Sequence, residues 1–243
     1  MRHVVIKNPV INSPFSEPQR HFRFDEQGIT NEIVEKRRRS EYFIPIPLAR
    51  RQVREETPEI PGLINEWTED RLQENQFINQ VRERVKLWRR GGYVGITPTT
   101  RRLLDYWTAR ERDKKFFFCQ IEAMETAIYI TEVADKYGDA WIRNELRRAN
   151  DMANPLLFRM AFKMATGTGK TVVMAMLIAW HTLNKIATPR DARFSDAFLI
   201  VTPGLTIRDR LRVLLPNDPM NYYVQRDILR SDGHRAGSTA DFQ

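Results

Sequence analysis

The octet Met164-Ala165-Thr166-Gly167-Thr168-Gly169-Lys170-Thr171 ends in Gly-Lys-Thr. Lacking Cβ atoms, Gly167 and Gly169 let consecutive backbone N–H groups turn inward around an anion, at the positive end of a helix that follows. This is the pattern of a phosphate-binding loop, with Met164 standing where the general pattern has its first glycine. In such a loop Lys170 neutralises the β and γ phosphates of ATP, the Thr171 hydroxyl ligates the bridging Mg2+, and Thr166 and Thr168 complete the cradle. A Gly-Lys-Thr string is weak alone, because a flexible turn between a strand and a helix has the same composition. The flanking residues must decide.

Leu156 to Met164 reads as a buried strand. Thr171 to Leu183 reads as a helix, with Val172, Val173, Met176, Leu177 and Trp180 along it, and Phe198 to Val201 as a second buried strand closed by Pro203 and Gly204. Strand, glycine loop, helix, strand is a βαβ unit, which implies a parallel sheet. Upstream, Met124, Ala127, Ile128 and Thr131 keep helical spacing until Gly138, and a shorter helix with Trp141 and Leu146 precedes Pro155. Ile78, Val81, Val85 and Trp88 mark one face of a helix ended by Gly91 and Gly92; another is expected after Pro98, burying Leu103, Leu104 and Trp107. Residues 1–60 are interrupted by six prolines and read as loops and short strands, such as His3 to Ile6 and Tyr42 to Ile46. The charged run from Arg110 to Lys115 before Phe116, Phe117 and Phe118 suggests a boundary near residue 115.

The chain has 243 residues, 42% of them hydrophobic and 29% charged, so it can bury a core and is neither fibrous nor disordered. Its net charge is +8 with a pI near 9.8, and thirty of its thirty-nine basic residues are Arg. That favours polyanions, nucleic acid first, as partners. An arginine-rich coding bias is the bland alternative. The first 118 residues carry +6 of the excess. The lone Cys119 excludes an internal disulfide and a multi-cysteine zinc site, which fits a reducing, cytoplasmic setting. The start lacks a signal peptide's apolar core, and the longest apolar run, Val172 to Trp180, is too short to span a bilayer, so no membrane partner is expected.

With Met164 before it, Ala165 to Thr171 resembles motif I of superfamily 2 helicases, especially the motor subunits of restriction enzymes. The segment Leu199-Ile200-Val201-Thr202-Pro203-Gly204-Leu205-Thr206-Ile207-Arg208-Asp209-Arg210 resembles motif Ia, which in that family touches the nucleic-acid backbone. The resemblance implies DNA contact through Thr202, Pro203, Gly204, Thr206, Arg208 and Arg210, with Arg212 adding charge; an ordinary βα turn with solvated arginines is the alternative. Phe118-Cys119-Gln120-Ile121-Glu122-Ala123 looks like the glutamine motif that reads adenine, a task suited to an amide that both donates and accepts. Phe116 or Phe117 could stack on the base, although core packing is the favoured reading of both. Asn12-Ser13-Pro14-Phe15, Arg20 to Phe24 and Gly28-Ile29-Thr30 resemble the start of type III restriction Res-type subunits.

The implied fold is α/β: an incomplete parallel sheet of P-loop NTPase, RecA-like type over residues 116–243, preceded by a family-specific α+β region over 1–115. The implied function is the front portion of an ATP-dependent DNA helicase or translocase, with a modification methylase subunit as a possible partner. No Asp-Glu-Ala-Asp or Asp-Glu-x-His box occurs in the 243 residues. Such a carboxylate pair completes the Mg2+ site and orients the attacking water, so no catalytic residue is assigned. The chain reads as truncated before that box, and a nucleotide- or DNA-binding module without turnover is the alternative; an unrelated P-loop protein such as a kinase has no role for motif Ia. Lys36 to Arg39, Arg50/Arg51, Arg89/Arg90 and Arg101/Arg102 either track a phosphate backbone or form a solvated face.

Overall fold

Where the apolar period runs unbroken, helices form. In the computed structural model, which describes residues 6, 8–25, 28–47, 68–156 and 158–230, helix α1 (Gln76–Arg90) buries Val81, Val85 and Trp88. The Asn75 side chain caps it by accepting from the Ile78 N–H, and Arg89 and Arg90 sit in its last turn, where the helix dipole favours cations. Helix α2 (Pro98–Thr108) opens with Thr97 as cap and Pro98 in its first turn, and buries Leu103, Leu104 and Trp107. Helix α3 (Phe118–Ile128) continues through a π turn (Tyr129–Val133) and a 3-10 turn (Ala134–Tyr137), and stops at Gly138, whose φ of +79° is left-handed. Then come α4 (Ala140–Ala153), α5 (Lys170–Ala187), α6 (Leu205–Arg210), a 3-10 turn (Leu211–Leu214) and α7 (Tyr222–Gln225).

Leu104, Met124, Ile128, Met176, Trp180 and Ile228 lie fully buried in one core, so helices on both sides of residue 115 share it. A polar knot sits inside. Glu132, in the π turn, accepts from the Thr97 N–H at 2.8 Å, the Thr100 hydroxyl at 2.6 Å and the Trp180 indole at 3.1 Å, while Asn184 donates to Thr100 Oγ1 at 3.0 Å. A buried carboxylate is tolerated only when its oxygens are satisfied in this way, so the knot fixes α2 and α5 against the π turn. The turn after α7 is stapled back: the Arg112 guanidinium lies between the rings of Tyr106 and Phe116, donates to the Asp227 carbonyl at 2.6 Å, and is almost wholly buried. The Trp107 indole donates to the Ile228 carbonyl beside it.

The strands among the described residues are antiparallel. β1 (His21–Asp25) pairs with β2 (Gly28–Val34), and β3 (Glu41–Pro47) with β4 (Thr68–Glu74). β3 contains the expected Tyr42–Ile46 strand, whereas His3 to Val5, Arg50/Arg51 and the tail from Ser231 fall outside the described residues.

The expected parallel sheet is not formed among them. Residues 158–164 join no ladder; Met160, Phe162 and Met164 turn onto the core, alternating with exposed residues, and Leu156 is 95% exposed. Residues 198–201 join none either, with Leu199 90% and Val201 82% exposed. Both segments keep the alternation of a strand. A strand needs a neighbour to take its N–H and C=O groups, and among the described residues none lies alongside.

Candidate nucleotide-binding site

The loop before α5 is built by its two glycines. Gly167 has φ +82° and Gly169 φ +77°, a region that costs an L-residue with a side chain about 1–3 kcal/mol. Space makes a second demand at Gly169, where a Cβ would collide with the Gln120 amide nitrogen; at Gly167 it would meet nothing. Thr168 Oγ1 donates to the Ala165 carbonyl at 2.7 Å, closing the turn, and Lys170 Nζ donates to the same carbonyl at 2.8 Å. Val172 and Val173 N–H groups donate to the Gly169 carbonyl, beginning α5. The amides of Gly167, Gly169, Lys170 and Thr171 have no acceptor among the described residues, and the loop's rim, from Ala165 to Gly167 and at Lys170, is exposed.

Left-handed glycines, unused amides at the start of an 18-residue helix and an exposed ammonium suit an anionic phosphate. Thr171 follows Lys170 in the first turn and offers the hydroxyl that a phosphate-bound Mg2+ requires. The residues present therefore fit Mg·ATP.

Gln120 joins this loop to the rest of the molecule. Its Oε1 accepts from the Phe117 N–H at 2.9 Å, capping α3, and its Nε2 donates to the Thr168 carbonyl at 2.9 Å. One side chain thus fixes both a helix start and the phosphate loop, and it is buried. The start of α3 is in turn held by the N-terminal segment. Phe118 N–H donates to the Pro14 carbonyl at 2.8 Å, Phe15 packs on Phe117 with ring centroids 5.8 Å apart, and Asn12 Oδ1 accepts from Gln19 and Arg20 N–H groups to close the segment into a loop. Sequence reading singles out Asn12 to Phe15 only by resemblance, yet these residues buttress the glutamine. Phe116 is in the core under Arg112, and Phe118 lies under the guanidiniums of Arg37 and Arg89. Burial raises the Cys119 thiol, so it is not activated.

Residues 113–225 match the family model of the type III restriction enzyme, res subunit. The match covers a little under half of the chain, and over that stretch the chain is similar to this family. It starts at Asp113, beside the Arg112 staple, and takes in Gln120, the glycine loop at 164–171 and residues 199–210. The match implies a P-loop NTPase fold. Searches of curated proteins and of solved structures found no match.

The motif Ia residues of the res-type segment stand apart from the phosphate loop's hydrogen bonds. Pro203, Gly204, Thr206, Arg208 and Arg210 are exposed, Thr202 half-buried. Thr202 Oγ1 donates to the Gly204 carbonyl at 3.3 Å, Arg208 pairs with the adjacent Asp209, and Arg212 lies 3.6 Å from Asp218. Arg208 and Arg212 rim a cavity of about 370 Å³ whose floor includes Ile200 and Leu215. Arg210 has no ion pair among the described residues. No described helix is long and apolar enough to cross a membrane.

Proposed function

We propose that this chain carries the front part of an ATP-dependent DNA translocase or helicase of the type III restriction res kind. The observation carrying this reading is the loop: two left-handed glycines, free amides and an exposed Lys170 at the start of α5, inside a segment of that family. Thr166, Gly167, Thr168, Gly169 and Lys170 would hold the phosphates and Thr171 the Mg2+; bound Mg·ATP supplies the phosphoanhydride whose cleavage drives such motors. Gln120 positions the loop, and its remaining donor and acceptor capacity is what adenine reading would use. Thr202, Pro203, Gly204, Thr206, Arg208 and Arg210 would meet the DNA backbone, with a modification methylase subunit as partner and the cytoplasm as setting. Residues 158–164 and 198–201 would be two strands of a parallel, RecA-like sheet over 116–243, packed on the 1–115 region through the shared core.

The test is calorimetry with Mg·ATP. Lys170→Ala should weaken binding about ten-fold or more, the equivalent of losing a charge-assisted contact of roughly 1.5–3 kcal/mol. Equal affinity in the two proteins would overturn the assignment. A second reading, binding without turnover, is favoured by the lack of an Asp-Glu box in the 243 residues. On that reading these residues by themselves show no steady-state ATPase with or without DNA, and turnover that disappears in Lys170→Ala would refute it.

A further inference from the structure

Between the segment that follows β2 and the outer face of α1 lies a groove of about 1030 Å³. Its cations are Lys36, Arg37, Arg38 and Arg39 from that segment, and Arg82, Arg84 and Lys86 from α1, against the carboxylates Glu17, Glu35, Glu74 and Glu83. Most of these charges are spent inside the protein. Arg37 forks onto Glu122 at 2.8 and 2.7 Å and reaches Glu17 at 3.3 Å, Lys86 pairs with Glu17 at 3.0 Å, and Arg39 with Glu74 at 2.6 Å. Arg38 lies over the Phe24 ring, Arg84 reaches Asp139 and Glu35 is taken by Arg20.

Two cations, and the carboxylate of Glu83, are left over. Lys36 is exposed and Arg82 half-buried, and neither side chain has an acidic partner among the described residues. Arg82 is held below its ordinary value by burial and then by the neighbouring Arg37; Glu122 offsets only part of this, its oxygens being occupied by Arg37. A half-buried guanidinium beside another that has already bonded the neighbouring carboxylate is a surface awaiting an anion. The groove is at the upper end of ordinary ligand-site volumes, so it has room for an extended polyanion rather than one small ion. Trp141 and Leu87 line it as well, an apolar edge that suits sugar or base beside phosphate.

We propose that this groove is a second nucleic-acid backbone site, in which Lys36 and Arg82 each take a phosphate while Arg37 to Arg39 serve as scaffold. The proposal is independent of motif Ia and of the phosphate loop. It divides the basic run by role: the arginine charges hold Glu17, Glu122 and Glu74 in place, and the free cations beside them bind.

The test is fluorescence anisotropy with a short labelled oligonucleotide, single-stranded or duplex, titrated between about 50 and about 200 mM salt. Lys36→Gln with Arg82→Gln should lower the slope of log K against log salt by about 1.4 on the single strand or about 1.8 on the duplex, and weaken binding about ten-fold or more at the low-salt end. A steeper loss on one of the two forms identifies which strand state the groove takes. An unchanged slope on both overturns the proposal. Arg208→Ala with Arg210→Ala, run in parallel, separates the sites: loss of slope there alone removes the groove and keeps motif Ia, and loss in the groove variant alone does the reverse. Should the double variant fail to fold, Lys36→Gln, at an exposed residue without a partner, must still lower the slope by about 0.7–0.9.

Discussion

Helix α5 and the segment 198–201 are both apolar stretches of the same family-matched region, and they end in opposite places. Along α5, Val173, Ala175, Met176, Ala179 and Trp180 are buried against α2, α3 and the 3-10 turn near residue 212. In 198–201 Leu199 and Val201 face outward, while Phe198 turns toward the His181 ring 6.3 Å away and Ile200, less exposed, lines the cavity beside Leu215. The difference is one of partners. A helix satisfies its own backbone and needs only a face to pack on, whereas an extended segment needs a neighbour both for its hydrogen bonds and for its second face.

The sharpest way to break the comparison is to truncate one residue on each side. Trp180→Ala removes a buried ring and the donor to Thr100 and Glu132, and should cost about 3–5 kcal/mol in urea unfolding. A loss below about 1 kcal/mol would mean that the helix is not held as described. Next comes the loop. Gly169→Ala should cost about 1–3 kcal/mol, because the left-handed backbone is strained and the new methyl displaces Gln120. Gly204→Ala, where φ is −173° and the space is open, should stay within about 0.5 kcal/mol. Equal costs at the two glycines would sink the distinction between a braced loop and an unbraced one.

A smaller effect depends on pH. Burial holds His181 below its ordinary value, and its Nδ1 has no partner. The unfolded chain therefore takes up this proton first as pH falls. Stability is full above about pH 6.5 and declines as pH drops below it. Between about pH 8 and about pH 5 the urea midpoint of the wild type should fall further than that of His181→Phe, and parallel curves would exclude the histidine as the source. Smallest of all, Leu199→Ser should change stability by no more than about 0.5 kcal/mol. A larger cost would show that 198–201 is covered in solution.

The helices were legible because their signals are local. Val81, Val85 and Trp88 repeat on one face, Gly91, Gly92 and Gly138 stop their helices, and Pro98 starts one. The turn before α5 was legible for the same reason, since Gly167 and Gly169 take left-handed backbone and Thr168 and Lys170 close on the Ala165 carbonyl within a few residues. Two things were not. The strand β4, Thr-Glu-Asp-Arg-Leu-Gln-Glu, has too little apolar alternation to announce itself and is set by pairing with β3. Pairing was also the missing information for 156–164 and 198–201, whose sequences state a need for burial without naming what meets it. Gln120 shows the limit within the site: its residue type suggests hydrogen bonding, but the link to the Thr168 carbonyl spans 48 positions. The split of Lys36 from Arg37 is likewise invisible in a run of four basic residues, because it depends on Glu17 and Glu122.

The Arg112 staple has a mechanical consequence. It ties residue 112 to residue 227, which flank the two limits of the family-matched segment, and with the Trp107–Ile228 and Lys114–Gln225 contacts it makes that segment a closed circuit whose entry and exit are held together. Tension applied at its two flanks would load that guanidinium, its two aromatic walls and these neighbouring contacts before it reached α5 or the glycine loop. For the same reason the segment could be cut at an exposed turn and rejoined across the staple with little change in its interior.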